Sequence, residues 1–282
     1  MKYFFLACAL ASLLIVALIF LFLGREAFSF ARDPGLGELV GMRWMPVSFV
    51  KESFGLGPLL AGSALVTAIA LLIAAPLGVC GAVYLAEIAR PWEREILKPF
   101  IELLAGIPSV VIGFFGLVVL APLVKRAFGL NTGLTALTGA MLLALMAIPT
   151  IVSIAEDAIR GVPESYKHAS LALGASSLQT TWRVTMPAAL PGILAAALLG
   201  MGRVIGETMA VMMVTGNAAV VTGNPLRSVR TMTATIAAEM GEVAVGSTHY
   251  KALFCVGGVL LLSTFLLNLL VQRLMERYGD RT

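Results

Sequence analysis

The chain has 282 residues, of which 59% are hydrophobic and only 13% charged, with a net charge of +4 and a mean hydropathy of +0.94. A soluble globular chain carries roughly 25% charged residues, so this composition excludes a soluble domain and reads as an all-α, polytopic membrane protein. A pI near 9.1 would suggest a nucleic-acid partner in a soluble chain. Here the basic residues fall in short segments between apolar runs, where membrane topology accounts for them and no nucleic acid is implied.

Taken in order, Tyr3 to Gly24 is a continuous apolar run ending in Gly24-Arg25-Glu26. It is longer than the roughly 7–15 apolar residues of a secretory signal, and predicts an uncleaved first transmembrane helix. A balanced polar loop follows; with the helix it forms a first unit over residues 1–57. In it, Trp44 reads equally as an interface anchor and as a recognition residue. The second helix is expected from Pro58 to Leu85, kinked at Pro76. Glu87 to Lys98 reads as a charged loop, and Pro99 to Val124 as the third helix, containing Gly106-Ile107-Pro108-Ser109. Ser109 has two readings: a bond to a carbonyl of its own helix, or the lining of a polar path. The fourth helix is expected over Leu134–Ala155. Residues 156–187 are too polar to span and too apolar for a solvated linker; they read as two short amphipathic helices hinged at Gly174. The fifth helix runs from about Ala188 to Thr215. A polar segment over 216–250 holds a short helix near Thr231–Met240, lying at the interface, and the sixth helix covers Lys251–Val271. Residues 58–271 thus form a core of five helices, and 272–282 a tail with Arg273, Arg277 and Arg281.

Six spans place both termini on one side. Once the long first loop is discounted, Lys and Arg predominate on the side of the N-terminus, which is therefore expected inside.

Chemistry-bearing residues are few. Cys8, Cys80 and Cys255 lie far apart in apolar runs and read as packed free thiols. His168 and His249 stand in different segments with no cluster beside them, so neither a metal site nor a bound cofactor is expected. No G-x-x-x-x-G-K-[ST] loop occurs, so any ATP the protein's work consumes must be bound by another chain. The exceptional stretch is Gly200-Met201-Gly202-Arg203-Val204-Ile205-Gly206-Glu207-Thr208. Arg203 lies about 22 Å into the fifth helix, too deep to reach the near surface easily. A charge there costs about 3 kcal/mol or more and usually faces a protein interior or a wet path. On a continuous helix Glu207 shares its face, while Gly202 and Gly206 offer a close-packing pair. A structural ion pair and a substrate pathway are both consistent with these residues.

The 156–187 segment resembles the coupling loop of bacterial ABC-importer permeases. The family pattern is Glu-Ala-Ala, three residues, Gly, nine residues, Ile, one residue, Leu-Pro; here it reads His168-Ala169-Ser170, Gly174, Val184-Thr185-Met186-Pro187. Its spacing is kept, with His168 in place of the Glu. Ala105-Gly106-Ile107-Pro108-Ser109-Val110-Val111 and Gly202-Arg203-Val204-Ile205-Gly206-Glu207-Thr208-Met209-Ala210-Val211 resemble signatures of the phosphate-specific Pst importers. The Gly-Glu-Thr-Met-Ala-Val form, with Val229-Arg230-Thr231-Met232-Thr233 downstream, is similar to the PstC-type permease rather than its PstA-type partner.

That resemblance implies a type I ABC importer permease of the bacterial inner membrane, itself non-catalytic. It implies a second, PstA-like permease, a dimer of cytoplasmic PstB-like ATPases and an external PstS-like phosphate-binding protein as partners, with membrane lipid around them. It assigns Arg203 and Glu207 to the substrate pathway, to which Thr208 and Ser109 are added as neighbours. It makes His168, Ala169, Ser170, Gly174, Val184, Met186 and Pro187 the ATPase-coupling residues. An ion-coupled secondary transporter of an oxyanion is the alternative that the Arg–Glu pair allows. An intramembrane enzyme has the weakest claim, since no Ser/His, His-Glu-x-x-His or paired-Asp set occurs within the spans.

Overall fold

The structure, a computed structural model, describes residues 1–48 and 51–279; Arg281 of the predicted tail lies outside the described residues. Among them, six helical stretches are long and apolar enough to cross a bilayer: Lys2–Val40, Gly57–Ile88, Ser109–Phe128, Ala136–Arg160, Ser177–Gly206 and Thr248–Leu270.

The bundle is organised around α6 (Ala136–Arg160), the span most enclosed by its neighbours. Against it lies α2 (Gly57–Val83), on which Gly62, Val66, Ala70, Ala74, Gly78 and Ala82 are all buried. That spacing of four places them on one stripe, and their small size lets two backbones approach closely, the main source of cohesion where lipid is as apolar as leucine. A Cβ on Gly78 would meet Ile151 of α6 at 2.7 Å. Pro76, where the sequence predicts a kink, lies inside α2, and the helix continues on both sides of it. The opposite flank of Ile151 receives α9 (Met186–Gly206), where a Cβ on Gly200 would lie 2.6 Å from Ile151 Cγ1.

Two predicted continuous helices are broken. Residues Pro91–Gly106 form a separate amphipathic helix, α3, so the segment expected to be a charged loop is largely helical. Ile107 and Pro108 are extended, and a new helix starts at Ser109. A residue preceding proline is disfavoured in the α region, and here Gly106, a poor helix former, stands directly before it; Ala75 and Lys98, which also precede prolines, lack that glycine and stay helical. From Ser109 the chain runs through α4 (Ser109–Phe115), a π-turn and α5 (Ala121–Phe128). The fifth span breaks likewise: Glu207 is extended after α9, and α10 (Met209–Val214) follows. Here α4 and α10 pack side by side, since a Cβ on Gly113 would sit 3.1 Å from Ala210 Cα and 2.8 Å from Met213 Sδ. By contrast, nothing lies within 4 Å of a Cβ on Gly202 or Gly206; this pair packs against no part of the described chain.

At one end of the bundle, α7 (Glu164–Ala172) and α8 (Ser177–Thr180) form the predicted hairpin. Gly174 at φ +84 makes the turn, a conformation open to glycine and costly for other residues. The sequence places a boundary at Pro187, but α8 continues through a π-turn over Thr181–Thr185 directly into α9. Pro187 lacks the N–H that would close the preceding turn, and its ring is seated in the first turn of α9.

At the other end, α11 (Met232–Glu239) is buried over Met232–Thr235 rather than lying on an interface. It rests on α12 (Thr248–Gly279), which extends well into the predicted tail. A second apolar core gathers here from Phe30, Trp44, Phe54, Leu59, Met232, Leu253 and Val256. Trp44 is buried, and its indole Nε1 donates to both Glu239 oxygens, at 3.2 and 3.1 Å. Arg230 and His249 close on the same carboxylate, the latter at 2.8 Å. Trp44 is thus a structural tie, neither anchor nor recognition residue. The N-terminal helix α1 (Lys2–Phe30) buries only Phe30 and touches α12 through the edge-to-face pair Phe22–Phe254, 5.4 Å between centroids.

Candidate functional site

The two helix breaks face each other around Arg203. It stands in the last turn of α9, half-buried, and its guanidinium crosses between two helices. Nη1 donates to Thr150 Oγ1 of α6 at 2.9 Å, and Nη2 to the carbonyl of Ala105 in α3 at 3.3 Å. That carbonyl is one of the last in α3, left without an intrahelical donor because the helix stops at Gly106. Arg203 therefore caps α3, a favourable place for a cation at the negative end of a helix. Among the described residues no carboxylate lies within ion-pair distance of Arg203.

Glu207 turns away. The expected i,i+4 pair requires a continuous helix, and the break at Glu207 removes that geometry. Its Oε1 accepts from Ala210 N at 3.3 Å, capping α10, and its backbone carbonyl accepts from Thr233 Oγ1 at 2.9 Å. Thr208 seals the same break: its hydroxyl donates to Gly206 O at 3.2 Å, and its carbonyl accepts from Met212 N. A small cavity behind the break is lined by Ser63, Thr67, Glu207, Thr231 and Thr233. Ser109 opens α4, half-buried. Ala105, four residues earlier, gives its carbonyl to Arg203, and among the described residues Ser109 makes no bond to a carbonyl of its own helix.

Sequence reasoning missed a second charged centre. Glu156 on α6 is fully buried, and three cations converge on it. Arg94 Nη2 lies 2.7 Å from Oε1, Lys98 Nζ 3.0 Å from Oε2 and Arg160 Nη1 3.7 Å from Oε1. Its contact with Glu156 raises the pKa of the Lys98 ammonium above its ordinary value, against the opposing effect of burial. The available signal was the 3–4 spacing of Arg94 and Lys98, which puts both on one face once the segment is helical.

Of the residues expected to couple to an ATPase, His168, Ala169, Ser170 and Gly174 lie on the α7–α8 hairpin, Val184 in the π-turn that follows, and Met186 and Pro187 at the start of α9. His168 is exposed, with Nε2 3.7 Å from Glu164 Oε2, and Ala169 is exposed beside it. Ser170 Oγ and Thr180 Oγ1 are 2.9 Å apart, joining α7 to α8. Val184 and Met186 are half-buried and Pro187 exposed. Tyr166, Leu171, Leu178 and Trp182 are exposed, and Leu173 at the turn is 90% exposed. Exposed apolar side chains clustered in this way are the kind of patch that meets another protein or a membrane surface. Lys167 Nζ reaches back to Glu87 Oε1 at 2.6 Å and fastens the hairpin to the end of the second span.

Residues 74–281 match the family model described as the binding-protein-dependent transport system inner membrane component. The chain belongs to that family. Permeases of this family similar to it include the probable ABC transporter permease YqgH of Bacillus subtilis, 40% identical over 96% of this chain and 88% of the relative. The phosphate transport system permease PstC of Mesorhizobium japonicum is 37% identical over 88% and 80%. Among solved structures, the fold matches a bacterial ABC transporter for the acidic polysaccharide alginate with a TM-score of 0.66 at 13% identity, covering 97% of this chain and 96% of that one. The MetNI methionine ABC transporter matches at 0.59 and 20%, covering 79% and 94%. The architecture is thus that of the type I importer permeases. Membership in a binding-protein-dependent family sets aside the ion-coupled carrier.

Proposed function

We propose that the chain is the PstC-type half of an ATP-driven phosphate importer in a bacterial inner membrane, with both termini cytoplasmic. Support for phosphate comes from relatives named PstC, including those of Mesorhizobium japonicum and Xylella fastidiosa. Support for an anion pathway comes from one observation: Arg203 is held by a hydroxyl and a carbonyl, with no carboxylate among the described residues to neutralise it. Both neutral acceptors can be exchanged for phosphate oxygens, which fit the planar guanidinium fork two at a time. Glu207, Thr208 and Ser109 frame the helix breaks through which the ion passes.

In this reading the α7–α8 hairpin docks its exposed leucines and Trp182 into a groove of a cytoplasmic ATPase dimer, in the helix-in-groove mode. This subunit hydrolyses nothing itself. A PstA-type permease completes the pathway, and an external phosphate-binding protein delivers the ion. Labelled phosphate uptake in cells carrying Arg203→Gln, with sulfate as competitor, tests the reading. Uptake should vanish while the complex still assembles. Normal uptake by Arg203→Gln would remove the arginine from the pathway.

A further inference from the structure

Helices α3 and α6 are joined by two polar rungs. The upper rung is the Arg203 guanidinium, which takes Ala105 O from α3 and Thr150 Oγ1 from α6. The lower rung is the Glu156 carboxylate of α6, gripped by Arg94 and Lys98 of α3. They are separated by about 9 Å along α6 and about 14 Å along α3 at 1.5 Å per residue. The foot of this ladder is attached to the coupling hairpin twice. Only residues 161–163 separate the end of α6 from the start of α7. In addition, Lys167 of α7 holds Glu87, four residues before α3 begins.

We propose that α3 is a tie-rod between the coupling hairpin and the pathway arginine, with Glu156 as the positioning residue at its foot. A displaced hairpin shifts the end of α6 and the start of α3 together. The Glu156 clamp keeps these two moving as one body, because a buried carboxylate cannot leave its cations without a large penalty. The register of α3 then determines whether the Ala105 carbonyl reaches Arg203 or leaves its fork free for an anion. Glu156 touches no substrate; its effect passes entirely through α3.

The test uses the full complex, reconstituted with its ATPase and binding protein, and the importer reading above supplies its substrate. Glu156→Gln keeps the shape and removes the charge. The number of phosphates moved per ATP hydrolysed is expected to fall about tenfold, the scale of ordinary coupling energies. Glu156→Asp should recover most of it. A purely structural role would lower assembly, hydrolysis and uptake together and leave the ratio unchanged, which would overturn the proposal. Lys98→Gln, which spares the Arg94 contact, serves if Glu156→Gln does not assemble. It should lower the same ratio by about threefold, and an unchanged ratio again overturns the proposal. A second readout is independent of the transported anion: the reactivity of Gly202→Cys, one residue from Arg203, towards a charged thiol reagent with and without ATP. In a background lacking the native cysteines, ATP should change that reactivity, and Glu156→Gln should abolish the change. Its persistence counts against the tie-rod even if phosphate proves to be the wrong ion.

Discussion

Glu156 and Arg203 are both charges placed among helices, and the protein treats them in opposite ways. Glu156 has no exposure and three cations, more positive charge than one carboxylate needs. Arg203 is half-buried and, among the described residues, has neutral acceptors only. A buried charge enclosed by cations is held in place, because leaving them costs more than staying. A charge satisfied by a hydroxyl and a carbonyl loses only modest hydrogen bonds on changing partner. On the proposed reading the contrast separates a joint from a binding group; in sequence only Arg203 looks like a costly intramembrane ion, Glu156 falling at the start of the polar 156–187 segment.

The widest test of this contrast sets stability against transport. Glu156→Gln is expected to destabilise the purified chain by about 3 kcal/mol, the lower end for a broken buried pair, because its cations are partly exposed. Arg203→Gln should cost only about 1 kcal/mol in the same thermal-unfolding measurement, while eliminating transport. Equal stability losses would erase the distinction between joint and binding group. Next in size is the contact that aligns the two helix breaks. Gly113→Val places a side chain against Ala210 and Met213, and overpacking of this kind costs about 1–3 kcal/mol. Thermal unfolding and uptake should fall together there, because α4 and α10 would be forced apart.

Smaller effects are expected in the coupling hairpin, which carries neither charge. Gly174→Ala forces a side chain into the left-handed region at φ +84, at about 1 kcal/mol. Binding of the ATPase subunit, measured by co-purification, should weaken. Ser170→Ala removes the bond to Thr180 and should lower the melting temperature slightly, by about 0.5–1 kcal/mol in stability. The family pattern resembled by this loop carries alanine at that position, so uptake should survive. Loss of uptake in Ser170→Ala would show that the hairpin transmits force through that bond.

Much of this molecule is legible from residue order. Hydropathy runs locate the six spans, and Gly174 marks the hairpin turn that its φ confirms. The break before Ser109 is partly readable, since Pro108 disfavours helix at Ile107 and Gly106 stands beside it; a long apolar run masks it. The break at Glu207 has a weaker signature, Gly206 followed by Thr208, and it removes the pairing with Arg203 that helical spacing predicts. The partners of Arg203 could not be found by pattern at all. One is a backbone carbonyl, which no side-chain motif encodes, and the other is a threonine 53 residues away. The Glu156 clamp is hidden in sequence because the charged stretch holding Arg94 and Lys98 reads as a loop, where periodicity has no meaning.

The bond from Trp44 to Glu239 joins residues 195 positions apart. A chain synthesised from its N-terminus makes Trp44 early and must insert four further spans before Glu239 exists. Until then α1, which buries only Phe30, has no finished protein surface to hold it and depends on surrounding lipid. Closure of this tie is therefore a late event in biogenesis. A nascent chain arrested before residue 239 should leave the Trp44 indole in a wetter setting than the complete chain, and its fluorescence would report when the membrane bundle is finished.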